Sequence, residues 1–160
     1  MLQKQKITPC LWFNANAEEA VNFYTTVFKN SKINQVSYYG DSGSKISGLG
    51  KGKVLAMTFE IDGQSFTALN GGVDIPYTPA ISFLVNCDGQ EEIDYYWQRL
   101  SEDGTTEKCG WLKDRFGISW QVVPSELGDL MTKSNNKEKV MQEMLKMKKL
   151  DIAVLKKAGE

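Results

Sequence analysis

The chain has 160 residues, a length that suits one domain or two small modules sharing a core. Hydrophobic residues make up 41% and charged residues 24%, which excludes disordered, collagenous and coiled-coil architectures. The net charge of −1 argues against a nucleic-acid partner. No histidine is present, so every mechanism that needs an imidazole base or ligand is excluded.

The three cysteines, Cys10, Cys87 and Cys109, are too few and too scattered for a disulfide framework or a zinc site. An odd number of cysteines fits a reducing compartment. The lysines near the start are followed by no apolar stretch, and no apolar run approaches the ~20 residues of a membrane span. We therefore expect a cytoplasmic protein with no leader and no membrane partner.

The first predicted module opens with an extended segment, Ile7–Phe13, and a helix after Glu18 whose apolar residues recur at i, i+3, i+4 and i+7. Strand-like runs follow at Ile33–Tyr39, Val54–Ile61 and Phe66–Leu69. The dipeptide Asp62-Gly63 predicts a tight hairpin between the last two runs. Residues 40–53 hold five of the 14 glycines and predict a mobile flap; a phosphate-binding loop is the weaker interpretation.

The helix recurs 73 positions later, after Glu91. An extended segment at Ala80–Val85 precedes it, and strand-like runs follow at Trp111–Leu112 and Ile118–Val123, joined by a loop at Lys113–Gly117. Both halves thus contain a strand, a helix and two or three antiparallel strands. We predict an α+β fold of tandem βαβββ modules, about 5–73 and 78–124, forming one domain over residues 1–132.

Residues 125–160 lie outside the repeat and are predicted to be helical. Val140, Met144 and Met147 stand at helical spacing and form a methionine-rich stripe suited to a partner surface. From residue 133 onward eight lysines face four acidic residues, so the tail carries +4 and the rest of the chain −5. A helical C-terminal tail over residues 133–160 is therefore expected.

Two residues, Cys109 and Lys113, are candidates for catalysis. Cys109 is a candidate nucleophile, with Lys108 or Lys113 as the positive charge that would activate it. The alternative for Cys109 is a small buried thiol. In the aromatic-rich stretch that follows, alternation puts Trp120 on one face of a strand and Ser119 and Gln121 on the other, so one face can serve a core and the other a ligand.

Several segments together resemble the PhnB-like proteins, often labelled 3-demethylubiquinone-9 3-methyltransferase-like, of the glyoxalase/bleomycin-resistance/dioxygenase (vicinal oxygen chelate) superfamily. The segments are Ile7–Phe13, the helix Glu18–Phe28, Phe66–Gly72, Pro79–Phe83, Cys109–Pro124 and Met144–Ile152. The resemblance implies paired βαβββ modules with a ligand on the concave side of the sheets. It gives no support to the methyltransferase label, because no glycine-rich turn of a nucleoside-cofactor site is present.

Metal-dependent members of this superfamily place ligands on the first and last strands of each module. Matching the helices carries those places onto Pro9, Leu69 or Asn70, Ala80 and Gln121. Only Gln121 and Asn70 offer a ligating oxygen, so we expect neither a metal nor another cofactor. Parity and resemblance together predict a ligand site of mostly apolar and amide groups: Leu11, Asn70, Ser82, Trp111, Ser119 and Gln121.

Two functions of different class remain open from the sequence. The first is a metal-free binding protein that holds a small organic molecule in an aromatic-lined cleft. The second is an enzyme acting on a small organic substrate without the usual metal ligands. Because relatives commonly pair their subunits, a homodimer is expected in either case.

Overall fold

The computed structural model describes residues 5–160. Contacts divide the chain into two compact units, Met1–Pro76 and Tyr77–Glu160. No helix within residues 5–160 is long and apolar enough to cross a membrane. Residues 1–4 lie outside the described residues. The expectations that they belong to the domain of the first module and contain no leader therefore stay predictions.

The first unit contains one βαβββ module with an added helix. Its elements are β1 Cys10–Phe13, α1 Ala17–Val27, β2 Lys32–Tyr38, α2 Asp41–Ser47, β3 Val54–Ile61 and β4 Gln64–Asn70. The strands form one sheet in the order β1-β4-β3-β2, in which β1 runs parallel to β4 and the other pairs are antiparallel. Helix α1 packs on β3 and β4, and its buried residues are Ala17, Ala20, Val21, Tyr24 and Val27. Of the predicted apolar stripe, Ala20, Tyr24 and Val27 are buried and Phe23 is half-buried.

The second unit repeats this topology and adds three helices. Its elements are β5 Phe83–Cys87, α3 Gln90–Ser101, β6 Thr105–Thr106, β7 Trp111–Lys113, β8 Ser119–Pro124, α4 Leu127–Lys133, α5 Lys137–Lys146 and α6 Ile152–Gly159. The strand order is β5-β8-β7-β6, again with the first and last strands parallel. The predicted α+β fold of tandem βαβββ modules with C-terminal helices is confirmed.

Both predicted hairpins form, each with its own turn chemistry. Asp62 and Gly63 both have positive φ, 47° and 78°, which is the two-residue turn that matches the twist of the flanking strands. The longer β7–β8 loop is organised by Asp114, which is 3% exposed. Its carboxylate accepts hydrogen bonds from the backbone N–H groups of Phe116 and Ile118 and from the indole of Trp120, at 2.9, 3.0 and 2.8 Å.

The expectation of a mobile flap over residues 40–53 is wrong in part, because α2 lies within it. Glycine and serine are weak helix formers, so no helical pattern is visible in this segment. The ring of Tyr39, just before the helix, packs against Gly43, where an added Cβ would lie 2.9 Å from it. Gly48, at φ 73°, ends the helix in the left-handed conformation.

The C-terminal helices pack on their own unit. Met144 and Met147 contact a buried cluster formed by Val123, Val140, Leu150, Leu155 and Ala158. The interpretation of the methionine stripe as a partner surface is therefore wrong. The tail lysines also pair with acidic groups of this unit, Lys149 with Asp94 and Lys156 with Glu126. The domain boundary at residue 132 stays a prediction.

We expect Asp114→Asn to lower the free energy of unfolding by about 1–3 kcal/mol. An amide presents an N–H group where the carboxylate now accepts, so one of three buried donors loses its partner. Urea unfolding of the full chain measures the change, with the exposed Asp74→Asn as a control. An equal effect of the two substitutions would show that Asp114 does not organise the hairpin.

Candidate functional site

Each sheet has one face that a helix covers and one that faces away from it. In the second unit, α3 packs on β7 and β8, and the residues beneath it are Leu112, Trp120 and Val122, all at most 3% exposed. The opposite face, here called the Gln121 face, is defined by register. It comprises Trp111, Lys113, Ser119 and Gln121 on β7 and β8, with Ser82 and Leu84 along β5.

Four of the six predicted ligand residues meet on the Gln121 face. The Gln121 amide donates a 2.9 Å hydrogen bond to the Ser82 hydroxyl, and Trp111 lies directly opposite Gln121 across the β7–β8 ladder. Ser119 lies two residues before Gln121 on the same strand, with its side chain on the same side. The prediction that Trp120 points away from this group agrees with its burial and with its ring contact to Phe83, at 5.2 Å between centroids.

Leu11, the fifth predicted ligand residue, lies on the other kind of face. Leu11 pairs with Ala68, which is fully buried. Ala68 lies on the same side of β4 as Asn70, whose carboxamide oxygen contacts the start of α1. The prediction that Leu11 lies on a face equivalent to the Gln121 face is therefore wrong. The face away from α1, here called the Trp12 face, comprises Cys10, Trp12, Ala56, Thr58, Thr67 and Leu69.

The error has a simple cause in loop length. Three residues separate Phe13 from α1, whereas two separate Cys87 from α3. Matching the two helices therefore shifts the preceding strands by one residue, and a shift of one moves every side chain to the opposite face. Counting these two linkers would have revealed Trp12, Thr58 and Thr67 as residues of the exposed face.

Asn70, the sixth predicted ligand residue, is 2% exposed and bonded on both sides of its amide. Its Oδ1 accepts from the N–H of Ala17 at 2.9 Å, and its Nδ2 donates to the carbonyl of Val54 at 3.1 Å. Its backbone carbonyl accepts from the Tyr39 hydroxyl. This set of contacts fixes the start of α1 to the end of β4, and its part in ligand binding stays a prediction.

Two concave regions open on the first sheet and share Thr58. One has a volume of about 470 Å³ and is lined mainly by polar side chains of β3 and β4, including Glu60, Ser65 and Thr67. The other, of about 420 Å³, lies along β2 between Gln35 and Ser37. Hydroxyl and amide groups predominate there, and the Glu60 carboxylate is already paired with Lys32 at 3.5 Å.

Two glycines at the end of β4 allow close contacts with Trp12 and with the end of α2. The Trp12 ring occupies the space where a Cβ of Gly71 would stand, and its indole donates to the carbonyl of Val73 at 2.9 Å. Gly72, at φ 74°, lies against the carbonyl of Ser47, where a Cβ would also collide. A side chain at either position would displace the ring or the helix.

The two catalytic candidates lie apart, at opposite ends of β7. Lys113 ends the strand, whereas Cys109 precedes it and directs its Sγ towards the carbonyl of Met144, 3.6 Å away in the tail. The third cysteine, Cys87, is buried, and burial, with the carboxylates of Glu92 and Asp88, raises its pKa to about 12. Within residues 5–160, no hydrogen bond joins a cysteine thiol to a lysine.

The residues at the family's metal positions do not suit a divalent cation. Pro9 has no side-chain donor, Ala80 is exposed and apolar, and both side-chain atoms of Asn70 are bonded to backbone groups. That leaves one carboxamide, Gln121, where hard or borderline metals require several carboxylates or imidazoles. Among residues 5–160 no group of three or more Cys, Asp or Glu side chains could hold a metal ion.

The paired βαβββ sheets, each with one helix-covered face, define a protein of the vicinal oxygen chelate fold. The profile of the family described as 3-demethylubiquinone-9 3-methyltransferase matches residues 5–123. The chain belongs to this family, in its PhnB-like branch.

Solved structures agree with this assignment. A Bacillus cereus PhnB protein, titled a putative 3-demethylubiquinone-9 3-methyltransferase, is 38% identical; the match covers 75% of this chain and 99% of that one, with a TM-score of 0.67. A Pseudomonas aeruginosa protein is 22% identical over 74% and 96%, with a TM-score of 0.61. The Listeria monocytogenes fosfomycin resistance protein FosX is 16% identical over 83% and 100%, with a TM-score of 0.54, and shares the fold. Among curated proteins there is no match.

We expect Cys87 to resist iodoacetamide at pH 7 in the folded protein and to react once urea unfolds the chain. A raised pKa keeps the thiol protonated, and the thiolate is the reactive form; unfolding returns the pKa to about 8.5. Peptide mass mapping over time measures this, with the solvent-exposed Cys10 as the comparison cysteine that should react before Cys87. Equal labelling of Cys87 in both states would contradict the burial argument.

Proposed function

We propose that this PhnB-like protein is a metal-free binding protein for a small organic molecule, which it holds on the Gln121 face. The observation that carries the proposal is the chemistry of that face, where hydroxyls, a carboxamide and an indole stand side by side on a rigid sheet. Groups that donate and accept hydrogen bonds suit a neutral or anionic organic ligand, and the indole offers a surface for a ring. A few convergent polar groups beside apolar surface are the usual make-up of a small-molecule site.

The alternative, an enzyme of the same superfamily without the usual metal ligands, gains less support. Cys109 would need a base or a positive charge beside it, and its sulfur is directed at a carbonyl of the tail instead. Methyl transfer is no part of the proposal, because the links from β1 to α1 and from β5 to α3 are short and carry no glycine-rich phosphate turn.

We further propose a homodimer in a reducing, cytoplasmic setting. Support for pairing comes from β2, an edge strand whose seven residues are all exposed and include Ile33, Val36 and Tyr38. An unpaired edge with exposed apolar residues is a natural place for a second copy to add. Support for the compartment comes from the cysteines, all three of which are free thiols.

Native mass spectrometry of tag-free protein from its own host, together with elemental analysis, tests the proposal as a whole. We expect particles of two chains, a bound small organic mass, and far less than one equivalent of Ni, Zn, Fe or Mn per chain. A stoichiometric metal that is lost on substituting Gln121 would overturn the metal-free proposal. Particles of a single chain at micromolar concentration would overturn the dimer.

We expect Gln121→Ala to leave the free energy of unfolding within roughly 1 kcal/mol of wild type while weakening retention of the bound molecule by a similar or larger amount. The change removes one partly exposed hydrogen bond to Ser82 but no core contact. Trp120→Ala, on the same strand, is the matched contrast and should cost on the order of 3–5 kcal/mol as a core deletion. If Gln121→Ala proves the more destabilising change, the Gln121 face is not the binding face.

A further inference from the structure

Lys113 is a partly buried cation without a counter-charge. Its side chain shares the Gln121 face, and within residues 5–160 its ammonium group makes neither an ion pair nor a hydrogen bond. The next residue, Asp114, does not compensate it, because that carboxylate is turned to the opposite side and accepts from the loop and Trp120. The ammonium group of Lys113 is therefore free to pair with an anion that reaches this face.

Ser119 lies directly opposite Lys113 across the β7–β8 ladder. Its hydroxyl is buried, with the residue 2% exposed, and within the described residues it has no hydrogen-bond partner. Side chains that face each other in an antiparallel pair have Cβ atoms about 4.5–5.5 Å apart. An unpaired hydroxyl and an unpaired ammonium group therefore stand within reach of the same small group.

The rest of the face limits what that group is. Gln121 keeps its carboxamide oxygen unused, and Trp111 lies opposite Gln121 as an apolar wall. Glu107 follows β6 and has its N–H bonded to the Trp111 carbonyl. Within residues 5–160, neither Glu107 nor any other carboxylate forms an ion pair with Lys113.

We propose that the ligand of the Gln121 face carries a carboxylate, which pairs with the ammonium group of Lys113 and accepts a hydrogen bond from Ser119. One cation and one hydroxyl match the two oxygens of a carboxylate, and such charge-assisted hydrogen bonds are the strong ones. Gln121 and Trp111 contact the organic part of the molecule. This inference rests on the proposed function and adds the chemical class of its ligand.

Benzoate and benzamide are suitable probes, because they differ in charge but hardly in shape. Titrations of the ¹⁵N-labelled full chain should show benzoate shifting the amide signals of Lys113 and Ser119 and the indole signal of Trp111. Benzamide should bind at least about tenfold more weakly, a difference of ~1.4 kcal/mol. Added salt should weaken benzoate and leave benzamide unchanged, since screening acts on the charged pair.

Variants then assign the effect to the lysine. Lys113→Met should reduce benzoate binding to the level of benzamide, and Lys113→Arg should retain most of it. Lys108→Met is the matched control, because Lys108 is an exposed lysine beside the same strand, and it should bind benzoate as wild type does. Thermal melting of each variant confirms that the sheet is intact.

Equal affinity for the two probes, or full benzoate binding by Lys113→Met, would overturn the carboxylate inference and leave the proposed function standing. The absence of any shift with either probe at millimolar concentration would also overturn it. A different result would overturn the proposed function: protein purified from its own host holds no small organic molecule, and Gln121→Ala has no effect on small-molecule binding.

Discussion

The three hydrogen bonds that converge on the buried Asp114 carboxylate determine how the second sheet presents its side chains. Two of the donors are backbone groups of the β7–β8 loop, and the third is the indole of Trp120. Because Trp120 is held on the side of α3, strand alternation directs Ser119 and Gln121 to the other side. The arrangement of side chains on the Gln121 face thus depends on a carboxylate that lies on the opposite side of the strand.

Periodicity was enough to predict the architecture and the face assignment of β8. That strand is long, and its bulky residues alternate with polar ones, so Trp120 and Gln121 could be separated from the sequence. The first strand is only four residues long and is followed by a linker one residue longer than its counterpart. A strand so short carries too little alternation to fix its own parity, and Leu11 was assigned to the wrong face.

Other parts of the site depend on contacts between distant residues, which a single sequence does not encode locally. The pairing of Lys113 with Ser119 follows from hairpin register, and the double bonding of Asn70 follows from the approach of α1 and β3 to the end of β4. Helix α2 was missed for a different reason, because its residues have low helical propensity and the ring of Tyr39 that packs on Gly43 leaves no periodic apolar pattern.

The C-terminal helices lie beyond the part of the chain that the family profile matches, which ends at residue 123. Besides their apolar cluster, backbone hydrogen bonds attach them: the N–H groups of Cys109 and Gly110 donate to the carbonyls of Met147 and Lys148. Val123, on the same side of β8 as Gln121, is buried in the cluster that these helices form. The extension therefore covers the Val123 end of the Gln121 face.

The glycine pair at the end of β4 has a consequence for how this sequence can change over evolution. Gly71 gives its side-chain space to Trp12, and Gly72 gives its own to the carbonyl of Ser47. The absence of a side chain at each glycine therefore lets the end of β4 contact both β1 and the end of α2. A smaller residue at Trp12 would make room for a side chain at Gly71, whereas Gly72 stays constrained by its positive φ even if the turn after Ser47 changes. Substitutions at Trp12 and Gly71 should accordingly arise together in descendants of this chain, as linked changes.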